Sequence, residues 1–268
     1  MFEHSTTTDS SPMKLQTIIY ELCQAAAGAA ALCLLSSCAT TDGISGGGTP
    51  HPATKEAPFV NSLGMKFVPV PGTNILMCTT ETTVAQYRMA GRGYNAPWFP
   101  QGDNHPAVNV TWADAKAWCA WLSAKEGRRY RLPTAPEWGA AAGPGPYPWG
   151  AGWPPPGGAG NYCGQEWRNA PQQDKDKLKE VWTSKYGAQK DILRGFEDPY
   201  LYTAPVESGP PNALGLKYMS GNAWEWCESK VLRGASWADN AKEAVNLQCQ
   251  VSSYLYDFDN GFRCVLAN

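Results

Sequence analysis

The chain has 268 residues, a formal net charge of −2 and 43% hydrophobic residues. No Lys/Arg stripe runs through it, which argues against a nucleic-acid partner, and its length accommodates one domain of ordinary size with extensions. Twelve tryptophans among 27 glycines and 22 prolines point to an irregular, loop-rich fold.

Residues 1–37 read as a leader. Lys14 follows Met13, an apolar stretch runs from Ile18 to Leu35, and Leu35-Ser36-Ser37-Cys38 closes it with small residues before a cysteine. That order is what export and signal cleavage require, whereas a structural membrane helix needs about 20 apolar residues and no such exit. The tetrapeptide resembles a lipobox, which implies cleavage before Cys38 and its acylation. Met1 to Pro12 are polar and precede the leader, so either translation starts at Met13 or the first twelve residues are an added segment. Residues 38–58 follow as a lipidated cysteine and a tether, rich in Gly, Thr, Ser and Pro and too poor in apolar area to offset ordering. Lipid attachment implies the outer membrane, at the cell surface, with the membrane as a partner through the anchor.

The folded domain is expected over residues 59–268. Thr83 with Gln86 forms a capping box for a short helix that stops at Gly91. Thr111 with Asp114 opens a second helix, with Trp112, Ala115, Cys119 and Leu122 at helical spacing and an end before Gly127. Thr134 with Glu137 opens a third, which Gly143-Pro144 breaks. Strand-length runs lie at Lys66–Val70, Lys230–Arg233 and Gly261–Leu266. Between Gly143 and Gly160 a Gly/Pro-rich surface loop must be ordered by the aromatics of Tyr147-Pro148-Trp149-Gly150. Leu178, Val181 and Trp182 give the charged stretch Gln172–Tyr186 one apolar side, so it reads as an inserted amphipathic helix covering the core.

Beyond Cys38 six cysteines remain, Cys78, Cys119, Cys163, Cys227, Cys249 and Cys264. In an exported domain they can pair, but six allow fifteen connectivities, and buried free thiols explain them equally well. No close C-x-x-C pair suggests zinc. His105 is the one histidine of the folded part and, standing before Pro106, reads as a turn residue rather than a general base.

Longer motifs carry a family resemblance. Pro106-Ala107-Val108-Asn109-Val110-Thr111-Trp112, then Arg131-Leu132-Pro133-Thr134-Ala135-Pro136-Glu137-Trp138, Tyr147-Pro148-Trp149-Gly150, Asn212 through Trp226 ending in Gly221-Asn222-Ala223-Trp224-Glu225-Trp226, Arg233-Gly234-Ala235-Ser236-Trp237 and Gly261-Phe262-Arg263 resemble the formylglycine-generating, or sulfatase-modifying factor, family. The resemblance implies an α+β fold of the C-type lectin-like kind, loop-rich, with short antiparallel strands and two main helices. In such a fold Gly221 and Gly234 supply unusual backbone angles, and Trp224, Trp226 and Trp237 pack the core. It also implies that Asn222 and Glu225 are calcium candidates, calcium being the one cofactor the resemblance suggests; satisfied core polar groups are the alternative.

Family enzymes use two redox cysteines about five residues apart near the C-terminus, in a Tyr/Arg-rich segment. Here Cys249 stands alone between Trp237 and Cys264, and Gln250 to Phe262 contains no basic residue to stabilise a thiolate. No catalytic residue is therefore assigned, and formylglycine generation with displaced cysteines is the alternative reading. The same domain serves as a display scaffold in variable proteins diversified by retroelements, and this chain resembles that type, a surface lipoprotein. The resemblance implies a variable C-terminal segment of about 230–268 and a ligand-binding face built from Ala238, Asp239, Asn240 and Ala241 with Ser252, Ser253, Tyr254, Leu255, Tyr256, Asp257, Phe258 and Asp259. Adenine randomisation of asparagine codons cannot yield Lys, Glu, Gln, Met or Trp, and Ser252 to Asn260 contains none of them. If that stretch is extended, Tyr254, Tyr256 and Phe258 share one side, either a paratope-like face or the buried side of a strand. The expected partner is an unknown protein or cell-surface ligand, bound by a monomer.

Overall fold

The computed structural model describes residues 53–186, 191–240, 250–251 and 257–267. The leader, Cys38, most of the tether and Cys249 lie outside the described residues.

Three capping boxes start three helices where the local sequence demands. Thr83, Thr111 and Thr134 each accept the N3 backbone N–H, while Gln86, Asp114 and Glu137 reach back to the cap, giving α1 (Val84–Arg88), α2 (Trp112–Glu126) and α3 (Ala135–Ala142). Gly127 ends α2 in the left-handed conformation, at φ 63°. Helix α2 buries Ala115, Trp118, Cys119 and Leu122, whereas Trp112 stays half-buried and donates its indole N–H to the Cys227 carbonyl. The charged stretch forms α4 (Gln172–Tyr186), which buries Leu178 and Trp182 as its spacing predicts.

Among the described residues nine short strands make two sheets. The first has the order β1-β2-β3-β9-β4, from β1 (Phe59–Val60), β2 (Lys66–Pro69), β3 (Ile75–Cys78), β4 (Arg129–Arg131) and β9 (Val265–Ala267), all antiparallel. The C-terminal strand β9 thus sits between β3 and β4 and closes the domain, with Ile75 opposite Ala267. The second has the order β7-β6-β5-β8, from β5 (Trp224–Trp226), β6 (Val231–Arg233), β7 (Gln250–Val251) and β8 (Asn260–Gly261), with β5 and β8 parallel. The run expected as one strand over Gly261–Leu266 is split between β8 and β9. Phe262, Arg263 and Cys264 form the crossover, and all three are buried.

Trp138, Trp224, Trp226 and Trp237 are all buried, as are Trp118, Trp167 and Trp182. Tyr147 and Trp149 stack with ring centroids 4.8 Å apart, ordering the Gly/Pro-rich loop by its aromatics. Gly221 (φ 78°) must be glycine: a Cβ there would lie 2.5 Å from the Asn161 carbonyl oxygen.

Candidate ligand-binding face and central charge cluster

The face expected at the C-terminus begins at Ala238, next to Trp237, which is fully buried in an aromatic cluster. Phe99 (5.0 Å), Tyr202 (5.4 Å), Phe258 (5.5 Å), Trp167 (5.8 Å) and Trp98 (6.2 Å) surround its ring, mostly edge to face. Phe258 is half-buried and packs on this cluster together with the half-buried Trp98 and Tyr202.

Three residues assigned to the face lie inside the protein. Ala238 is buried, and its carbonyl accepts the Trp182 indole N–H at 2.9 Å. Asp239 is buried with one carboxylate oxygen on the Ser236 backbone N–H (2.9 Å) and 3.0 Å from the Ser236 hydroxyl, while Asp259, also buried, reaches the same hydroxyl at 2.7 Å. Alternation along an extended strand does not hold at the end of the segment, because Phe258 and Asp259 lie in a turn and Asp259 is drawn in by Ser236. Asn240, Asp257 and Phe258 remain half-buried and reach solvent. Ala241, Ser252, Ser253, Tyr254, Leu255 and Tyr256 lie outside the described residues. Trp98 and Tyr202 come from loops with no periodicity, and nothing in the sequence places them beside Phe258.

The second candidate site, at Asn222 and Glu225, is a closed polar core. Asn222 (φ 66°) accepts hydrogen bonds from the Ala204 N–H (2.7 Å) and the Asn161 amide (3.1 Å), and donates to Glu81 Oε1 (2.9 Å). Glu225 is fully buried. Arg263 grips it with two parallel bonds, Nε to Oε2 at 2.7 Å and Nη2 to Oε1 at 2.6 Å, and the Trp138 indole adds a third at 2.7 Å. A calcium ion does not fit at this carboxylate: both oxygens face N–H donors, and a guanidinium already supplies the positive charge. Asn222 and Glu225, read from the sequence as calcium candidates, thus both have their side-chain oxygens engaged by N–H donors. Glu81 and Arg263, the other members of the cluster, carry no local sequence signal beyond Arg263's place in Gly261-Phe262-Arg263.

Redox chemistry finds no accessible thiol among the described residues, because Cys78, Cys119, Cys163, Cys227 and Cys264 are all buried. Burial pushes the Cys78 thiol up to about 11 and raises Cys119 and Cys264 as well, which holds them as neutral thiols rather than nucleophilic thiolates. His105 Nδ1 sits 3.1 Å from the Thr203 hydroxyl, and burial lowers its pKa, consistent with a neutral turn residue.

The fold and its motifs have counterparts among known proteins. The chain is 34% identical over 179 residues to the inactive Cα-formylglycine-generating enzyme 2 of Bos taurus, covering 59% of this chain and 49% of that one. It is 31% identical over 166 residues to the formylglycine-generating enzyme of Thermomonospora curvata, covering 59% and 46%. The chain thus matches about half the length of these curated relatives. Among solved structures, PvdO from Pseudomonas aeruginosa aligns over 72% of this chain and 80% of its own, with a TM-score of 0.51 and 24% identity. Treponema denticola variable protein 1 aligns over 72% and 84%, with a TM-score of 0.45 and 19% identity. The profile of the sulfatase-modifying factor enzyme 1-like domain matches residues 51–268. The chain therefore belongs to the sulfatase-modifying factor enzyme 1-like domain family, the formylglycine-generating fold in its α+β form.

Proposed function

We propose that this protein is a non-catalytic ligand-binding member of its family, anchored by lipid at Cys38 on the outer membrane and presenting a variable C-terminal face to a protein or cell-surface ligand. The observation that carries the non-catalytic reading is the state of the sulfur. Five cysteines of the domain are buried, three of them with raised pKa values, and the C-terminal segment holds Cys249 without a second cysteine near it. The name of the bovine relative, an inactive formylglycine-generating enzyme, supports the same reading.

On this reading Asn240, Asp257 and Phe258 are the described residues through which the site reaches solvent. Trp98 and Tyr202 pack on the same aromatic cluster as Phe258, and Ala238, Asp239 and Asp259 support the face from within. Two experiments test the proposal. Incubated with a cysteine-containing sulfatase-type peptide, with and without copper, the purified protein leaves the peptide mass unchanged; conversion of the cysteine to an aldehyde would restore the oxidoreductase. Sequencing the gene across many clones of one population should show replacements concentrated in the C-terminal segment, codons 230–268, and an even spread over codons 59–268 would remove the diversified face.

A further inference from the structure

The environment of Arg263 is an unusual one for an arginine. Its side chain is fully buried, and the oxygens around it come from separate parts of the chain. Besides the two Glu225 oxygens, Nη1 donates to the carbonyls of Cys78 (3.3 Å) and Thr79 (3.4 Å), and Nη2 to those of Lys217 (2.8 Å) and Tyr218 (3.3 Å). One carboxylate and four main-chain carbonyls converging on a positive charge is the donor chemistry of a hard divalent cation. The difference lies in shape: calcium needs its oxygens on a sphere at about 2.3–2.6 Å, whereas these spread around a planar fork of five N–H donors.

We propose that Arg263 is the built-in cation of this centre, doing for Glu225 and the four carbonyls what a bound calcium ion would otherwise do. The three segments it joins are the end of β3, the Lys217-Tyr218 segment and β5, and its own position two residues before β9 ties the C-terminal strand to all of them. The charge balance of the Trp224–Trp226 strand is therefore met from within the chain, and folding is independent of calcium. Removing the guanidinium leaves a carboxylate and carbonyls with no cation, and that vacated oxygen cluster becomes calcium-responsive.

The test is thermal melting of the purified full chain in chelator and in millimolar calcium, with magnesium at equal ionic strength as control. The wild type should melt at the same temperature in all three. Arg263→Ala should melt lower and recover part of the loss in calcium but not in magnesium, while Arg263→Lys, which keeps a charge without the fork, should fall between wild type and Arg263→Ala. A wild-type melting temperature that rises in calcium, with the rise abolished by Glu225→Gln, would overturn the proposal, and so would a folded Arg263→Ala that ignores calcium. Should Arg263→Ala fail to fold, the wild type and Glu225→Gln still decide, because neither depends on that variant.

Discussion

Glu81 is as deeply buried as Glu225 and close to the same guanidinium, but Arg263 gives its two carboxylate bonds to Glu225. Glu81 keeps the Asn222 amide on one oxygen, and its other oxygen has no hydrogen-bond donor among the described residues. Burial, the largest cause, and the neighbouring Glu225 charge together raise its pKa to about 8, against the pull of Arg263. The folded state therefore holds a proton on Glu81 over a range where the unfolded chain has released it. Stability then falls as pH rises from the ordinary carboxylate range towards about 8, is fully lowered above that, and is unaffected where both states are protonated. Denaturant midpoints measured between pH 5 and 9 should show this decline in the wild type, and Glu81→Gln, which keeps the shape and an amide oxygen for Asn222, should flatten it and raise the midpoint at the alkaline end. Identical profiles for the two proteins would mean that Glu81 is ionised in the folded state.

Among the elements, what could be read from the sequence was what is local. The three Thr-led helix starts need only residues three apart, and each formed with its reciprocal bonds. Losing the cap of the longest of these three should therefore be measurable: Thr111→Ala is expected to cost about 1 kcal/mol, seen as a lower denaturant midpoint with an unchanged slope. Strands were legible only where an apolar run was long enough to stand out, as at Lys66–Pro69. Strand β3 pairs with β9 nearly two hundred residues away, and β5, three residues long and buried throughout, shows no alternation. The candidate face was partly legible for the same reason. Tyr/Asp alternation was visible, but the Ser236 hydroxyl that draws Asp259 inward and the loops that deliver Trp98 and Tyr202 are long-range effects. Glycine separates local from long-range cost directly. Gly72 and Gly221 both have positive φ (76° and 78°), yet a Cβ at Gly72 meets nothing, while one at Gly221 meets Asn161 backbone at 2.5 Å. Gly72→Ala should lose only the left-handed penalty of about 1–2 kcal/mol. Gly221→Ala must also push apart the Asn161 segment and the approach to β5, so it should lose clearly more; equal melting temperatures for the two variants would contradict the packing at Asn161.

For the whole molecule, the domain and its anchor make separate demands. The described domain buries its apolar side chains on itself, with Val60 and Met89 the large hydrophobic residues left well exposed, so nothing on its surface offers the continuous apolar area that membrane residence requires. On the proposed reading the attachment comes from the segment before the domain, where the lipobox-like Leu35-Ser36-Ser37-Cys38 stands. One acyl chain holds a protein only marginally and reversibly, whereas two or three at a single processed cysteine hold it stably, so the whole attachment should hang on Cys38. Cys38→Ala should accordingly move the protein from the detergent phase to the aqueous phase on detergent partitioning and abolish incorporation of a labelled fatty acid. Its melting temperature should stay unchanged, because the domain draws no stability from the lipid. On intact cells, protease shaving should remove the wild-type domain. Cys38→Ala protein that still partitions into detergent and is still shaved from the cell surface would place the anchor elsewhere in the chain.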